Sequence, residues 1–453
     1  RNNIHDSSLA AGLLALILAF GFGPAIAQEG GAQEGEQAEE KTKRTGSMSE
    51  RVYKRLAEAQ QMADEENFNG AVAKLNEVKA MAKLSDYEKA QLYTFFGFIY
   101  YNQERYKDSI SAYKTVLEQP DLPEGLRVST TYTLAQLYFT VEDYDNAIRQ
   151  ITDWMKVANN PGPDPYVLLA SAYYSKEQYQ QMIEPLESAL RIAKERDIAP
   201  KEQWYLLQRV AYWELKNNRK VRDILETLVV GWPKKEYWTQ LSAMYGELEQ
   251  EKKQLAAYEA AYDQGLLERS GELIQLAQLF MAADAPYKGA RVLEKGMEAE
   301  QVEKDAKNQK LLAQAWSMAR EDSKAIPALQ AAAKLSSDGE LDVRLAQTYL
   351  NLSRYDECIK AARAGLNKGS LKRADTANMV LGMCLYDSGS LGSAKKAFRQ
   401  AAKDKRSASG ASSWIQYIEG EEERLRKLEE SMRMVERRAE TAEAPAPDET
   451  TVL

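Results

Sequence analysis

The chain has 453 residues, 60 of them basic and 68 acidic, for a formal net charge of −8, and no Lys/Arg stripe runs along it. That balance argues against a nucleic-acid partner and against an electrostatic hold on anionic lipid, both of which need a basic face. The one histidine, His5, lies in a segment read below as removed, so the mature chain has no imidazole for a nucleophile, general base or metal site; Cys358 and Cys384 cannot by themselves build a zinc or iron–sulfur centre, and carboxylate or lysine chemistry remains.

The first element is "LAAGLLALILAFGFGPAIA", residues 9–27, an uncharged apolar run ending in Ala25-Ile26-Ala27. Small residues at −3 and −1 suit a signal peptidase, so residues 1–27 read as an export signal cleaved between Ala27 and Gln28. The alternative, a retained anchor, is interrupted by Gly21, Gly23 and Pro24. No cysteine follows the run, which closes the lipoprotein route. The expected location is therefore the periplasm, with no membrane span left in the mature chain. Residues 28–48 are too polar to offset their ordering entropy and read as a disordered leader; residues 440–453 read as a disordered tail.

Between these ends the chain repeats itself. "LAQLYFTVEDYDNAI" at 134–148 and "LAQTYLNLSRYDECI" at 345–359 share Leu, Ala, Gln, two Tyr, Asp and Ile at identical offsets. Aligned on Ala135 and Ala346, the small or tight position recurs at Ala59, Gly97, Ala135, Ala170, Gln208, Ser242, Ala277, Ala313, Ala346 and Gly382, successive ones 33 to 38 residues apart. A bulky residue follows three later in most units, an aromatic nine later in many, and a second small residue twelve later, as at Ala71, Ser109, Ala147, Ala290, Ala325, Cys358 and Ala394. Offsets of −1, 0 and +3 share one helix face, so each unit reads as two antiparallel helices that cross at the small pair. One such hairpin cannot cover its own apolar faces, and the units must stack.

This grammar resembles the tetratricopeptide repeat (TPR), with Trp204-Leu207 and Trp238-Leu241 matching its opening residues. The expected fold is all-α: a TPR-type helical-hairpin solenoid of about ten units with a C-terminal capping helix. Two prolines, Pro185 and Pro327, fall inside expected second helices, which must either start late or kink. Gln208, Lys220 and Asp223 break the pattern in the middle of the array. The array is therefore expected as two stacks, residues 49–195 and 196–411, meeting near 195–235. Residues 412–439 follow as a capping and charged helix, with Trp414, Tyr417 and Ile418 over the open end; two heptads at Leu425, Leu428, Met432 and Val435 are too few for a coiled coil to be preferred.

The resemblance implies partner binding through the concave face, lined by first helices. In this register the positions three before, one after and four after the small residue enter that groove. They supply Phe98, Tyr101, Tyr132, Gln136, Phe139, Ser171, Tyr174, Tyr205, Arg209 and Tyr212 in the N-terminal half. Rings with polar tips suit recognition, although packing between units is the competing account for each. Later units offer Ala243, Met281, Gln314 and Gln347, a poorer surface. The Lys/Asn clamp of chaperone-binding TPR proteins is absent. Cys358 and Cys384 are either two buried small side chains or a disulfide stapling neighbouring units.

"RVYKRLAEAQ", the stretch from "LSDYEKAQLYTFFGFIYY" through "LPEGLRVSTTYTLAQLYF", and "ADAPYKGARVLEKGMEAEQVEKD" resemble the exported TPR protein associated with TonB–ExbB–ExbD energy-transduction systems. The Leu122-Pro123-Glu124-Gly125-Leu126 connector is the most distinctive piece. The resemblance implies a non-catalytic periplasmic scaffold supporting TonB-dependent uptake, with envelope proteins as partners and no cofactor, small-molecule substrate or nucleic acid. The competing expectation is a periplasmic TPR factor in envelope biogenesis. No unassigned stretch is long enough for a catalytic domain.

Overall fold

The computed structural model describes residues 47–442. The export signal, nearly all of the leader, and the tail from 443 onward lie outside the described residues. Among the described residues there are 21 helices and no strand, and no helix is long and apolar enough to cross a membrane.

The chain divides into two units, one ending at Trp232 and one starting at Pro233. The first contains α1 (Glu50–Asp64), α2 (Phe68–Lys79), α3 (Asp86–Asn102), α4 (Tyr106–Leu117), α5 (Glu124–Thr140), α6 (Tyr144–Val157), α7 (Asp164–Ser175), α8 (Tyr179–Glu195), α9 (Glu202–Glu214) and α10 (Asn218–Gly231). The second contains α11 (Lys235–Glu247), α12 (Glu251–Asp263), α13 (Ser270–Ala282), α14 (Pro286–Glu298), α15 (Ala306–Met318), α16 (Asp322–Leu335), α17 (Glu340–Asn351), α18 (Tyr355–Lys368), α19 (Ala374–Asp387), α20 (Leu391–Ala401) and α21 (Lys405–Ala442). Helices pair as α1–α2, α3–α4 and onward, giving five hairpins in each unit. Within a unit each second helix also packs on the next first helix. The expected boundary at 195–196 moves to 232–233, because α9 packs on α7 and α8 and keeps its hairpin in the first unit.

Each aligned small residue lies on a first helix and is buried. What it faces follows a size rule. A Cβ added to Gly97 would meet the Tyr113 ring at 2.6 Å, and one added to Gly382 would meet the Phe398 ring at 2.6 Å. Both rings lie 16 residues after their glycine. Where the small residue is Ala59, Ala170 or Ala277, the residue at that offset is Leu75, Leu186 or Leu293, each fully buried. In these five hairpins the smaller first-helix residue stands with the larger second-helix one, as close packing favours, whereas in the ninth Ala346 has the buried Ala362 at that offset.

Turns inside the hairpins share one conformation. The residue seven after the small position has positive φ at Glu66, Glu104, Glu142, Glu177, Glu249, Asp284, Arg320, Ser353 and Gly389. The following N–H then reaches back five residues, as from Asp143 to the Tyr138 carbonyl (2.9 Å) and from Arg354 to that of Tyr349 (2.9 Å). This left-handed closure satisfies carbonyls that the helix end would leave unpaired. In the fifth hairpin the positive φ comes at Lys216, eight after Gln208, and the N–H of Asn217 reaches Tyr212. One extra residue has entered α9, so Val221 rather than Lys220 turns inward on α10.

The prolines neither delay nor end their helices. Pro185 lies inside α8, which begins at Tyr179, and Pro327 inside α16, which begins at Asp322. Each removes a bond to the carbonyl four residues earlier, on Gln181 and Ser323, and both of those residues are exposed to water. At the C-terminus, α21 starts at Lys405, before the expected cap, and packs on α19 and α20. Trp414 stacks on Phe398 (5.3 Å, 7°) and Ile418 is fully buried, but Tyr417 stays 53% exposed and is not part of the seal. Cys358 on α18 and Cys384 on α19 are joined in a disulfide, with Cα atoms 6.1 Å apart, across the junction of the last two hairpins.

Candidate functional site

The expected groove residues lie on the first helices α3, α5, α7 and α9 of the first unit. Tyr101, Phe139 and Tyr174 sit at equivalent places near the ends of α3, α5 and α7, all half-buried. Tyr101 packs edge-on against Tyr106 (5.6 Å) and Phe139 against Tyr144 (5.5 Å), the aromatic that opens the second helix of the same hairpin. The turn aromatic therefore buttresses the groove aromatic and fixes its rotamer.

One to two turns earlier, Tyr132 lies 4.9 Å from Trp154 of α6. Burial, with the Asp164 carboxylate adding, pushes its hydroxyl up to about 12. Asp164 in turn pairs with Lys201 at 3.3 Å. Gln136, half-buried between Tyr132 and Phe139 on α5, turns its Oε1 inward, where it has no protein partner. Phe98 and Arg209 are also half-buried. Tyr205 sits 5.8 Å from Trp232, and burial raises its hydroxyl as well. Ser171 is fully buried, its hydroxyl donating to the Val167 carbonyl at 2.8 Å.

Tyr212 does not face the groove. It is 6% exposed and donates its hydroxyl to Glu187 Oε1 of α8 at 2.9 Å. The extra residue in α9 is the cause: counted from its turn, Tyr212 occupies the inward place held elsewhere by Tyr138 and Tyr349. Trp213, 40% exposed, takes the groove place instead. Asn217 marks the slip in the sequence, since its side chain caps α10 by accepting from the Lys220 N–H, as Asp143 caps α6 from Asn146. Trp154 carried no comparable signal, because it lies on a second helix outside the row.

In the second unit Ala243, Gln314 and Gln347 are exposed and Met281 half-buried. The aromatic surface there is at the far end, where Tyr386, Trp414 and Tyr417 line an open cleft of about 450 Å³. Among the described residues no group of three or more His, Cys, Asp or Glu side chains is placed to hold a metal ion.

Residues 163–196, covering α7 and α8, match the family model described as tetratricopeptide repeat. No curated protein matches the chain. Among solved structures, a tetratricopeptide repeat protein from Parabacteroides merdae is 12% identical, with 60% of this chain and 100% of that one covered at a TM-score of 0.35. MamA protein is 18% identical over 38% of this chain and 92% of its own, at 0.32. The TPR2AB domain of yeast Sti1, solved as a pHSP90 complex, is 15% identical over 58% and 99%, at 0.33. The matched hairpin is one of ten, eight of the others placing their turn at the same offset, and together they form a TPR-type helical-hairpin solenoid.

Proposed function

We propose that this chain is an exported, periplasmic scaffold that holds a segment of an envelope protein, a component of a TonB-type uptake system before any other. One observation carries the binding surface. Tyr101, Phe139 and Tyr174 stand at one repeat position on successive first helices and Tyr132 and Tyr205 at another, all half-buried, with Trp213 in the first row and ring partners beside Tyr101, Tyr132, Phe139 and Tyr205. Such rings offer contact area at low entropic cost on binding. Export is supported by the apolar run at 9–27 and by a disulfide of the kind that persists in oxidising compartments. The TonB setting rests on the sequence resemblance.

Recognition by several rings spreads the energy, so single ring-to-Ala changes should each cost about 1–2 kcal/mol of binding. A variant carrying Tyr132→Ala, Phe139→Ala and Tyr174→Ala is compared with the parent chain for recovery of TonB-system proteins from crosslinked envelopes and for growth on a TonB-dependent nutrient. Loss of both, with the helical signal retained, is the expected outcome. Equal recovery and equal growth would sink the proposal in favour of a role in envelope biogenesis.

A further inference from the structure

The connector that the sequence singles out forms one lip of a cleft. Glu124, Gly125 and Val128 on the first turns of α5, Val157 at the end of α6 and Asn159 in the loop after it line an open space of about 560 Å³. Its floor is the Tyr132–Trp154 ring pair. The volume lies in the range that accepts one or two side chains. Val157 is 48% exposed, an apolar wall left facing water.

The cleft is held in shape from both sides. Leu122 is buried and anchors the connector. Across the cleft, Arg196, just past the end of α8, donates to the Asn160 carbonyl at 3.2 Å, the Pro161 carbonyl at 2.9 Å and Asn160 Oδ1, fixing the α6–α7 loop. A site pre-formed in this way loses little to ordering when it is filled. Among the lining residues Glu124 alone is charged, and it is exposed at the start of α5. A carboxylate at the rim of an apolar floor repels an acidic segment and favours a cation beside the group that fills the floor.

We propose that this cleft is the anchor socket of the first unit. It seats an apolar or aromatic side chain of the partner segment on Tyr132 and Trp154, while a lysine or arginine next to that anchor pairs with Glu124. The inference rests on the reading of the first unit as a protein-binding surface, and adds the chemistry of the segment that it binds.

The test uses the full chain labelled with 5-fluorotryptophan, with the Trp154 fluorine resonance assigned by its loss in Trp154→Phe. Three blocked tetrapeptides serve as probes: acetyl-Ala-Phe-Arg-Ala-amide, its Phe-Glu counterpart and its Ala-Arg counterpart. The Phe-Arg peptide should shift the Trp154 signal saturably, the Phe-Glu peptide about threefold to fivefold more weakly, and the Ala-Arg peptide not at all, the fold-difference being that of one exposed ion pair. Glu124→Gln, an exposed change that leaves the fold intact, should bring the two Phe peptides within about twofold of each other on the same scale. Equal response to Phe-Arg and Phe-Glu in the parent chain, or no shift with any peptide, overturns the socket. Val157→Glu separates this inference from the one beneath it. If it captures envelope partners fully while the triple ring variant does not, the socket is wrong and the binding surface stands; full capture by both removes the two together.

Discussion

Gly382 and Gly97 show how a single side chain sets the approach of two helices. Each lies against an aromatic ring at a distance where an added methyl has nowhere to go. Gly382→Ala should therefore destabilise the last hairpin by about 1–3 kcal/mol, the usual cost of overpacking a close-fitted core. Replacing the ring as well, in Gly382→Ala with Phe398→Leu, should restore part of that loss, since Ala with Leu is the pairing that other hairpins use. Urea unfolding of the three chains measures both numbers. Additive losses, with no recovery in the double variant, would show that the size rule is coincidence. Ala346, fully buried on α17, falls outside that pairing, with Ala362 sixteen residues later; Ala346→Leu should still overpack the crossing and cost a similar amount.

Helix α9 shows what one extra residue does within an element. A 100° rotation per residue carries Tyr212 from the groove into the contact with Glu187 and brings Trp213 out. Tyr212→Phe should lower stability by about 1 kcal/mol, the net worth of a hydrogen bond to a charged acceptor that stays partly hydrated, and leave partner recovery unchanged. Trp213→Ala should do the reverse, reducing recovery with little change in the unfolding midpoint. Partner loss on changing Tyr212 alone would mean that the register assigned to α9 is wrong. The turn after α9 also shows why the sequence misled here. The left-handed residue is Lys216, and nothing in a lysine announces positive φ, whereas a glycine would have placed the turn.

At the scale of the molecule the two units differ in how their cores are joined. The second holds one continuous apolar cluster from Tyr258 to Ile418. The first is divided into separate clusters, among them one around Leu75 and Phe96, one around Leu134 and Tyr138, one around Ile151 and Leu169, and one around Leu186 and Trp204. In a linear array, cooperativity follows such nearest-neighbour contacts. Chains of residues 47–232 and 233–442 should each fold alone, and the second should unfold over the narrower range of urea. Within the second, the Cys358–Cys384 bond closes a span of 26 residues. Changing both to Ala under non-reducing conditions should lower its stability by about 3 kcal/mol. Circular dichroism of both fragments checks the claim, and a second fragment with no cooperative transition would refute it.

Repeat number, hairpin pairing and the buried small positions were legible in the residues, because local periodicity and nearest-neighbour stacking generate this fold without long-range topology. Ala135 and Ala346 stand at equivalent crossings for the reason that made them align. The row of rings was legible in the same way, since helical spacing alone puts Tyr132, Gln136 and Phe139 on one face. Tertiary structure decided the rest. The division at Trp232–Pro233 depends on which helix α9 packs against, and no local pattern encodes that. Trp154 joins Tyr132 only because α6 returns alongside α5, and the loop next to the cleft is tied down by Arg196, 36 residues beyond Asn160. Groups brought together by packing between hairpins leave no period in the sequence, and the candidate site lies among them.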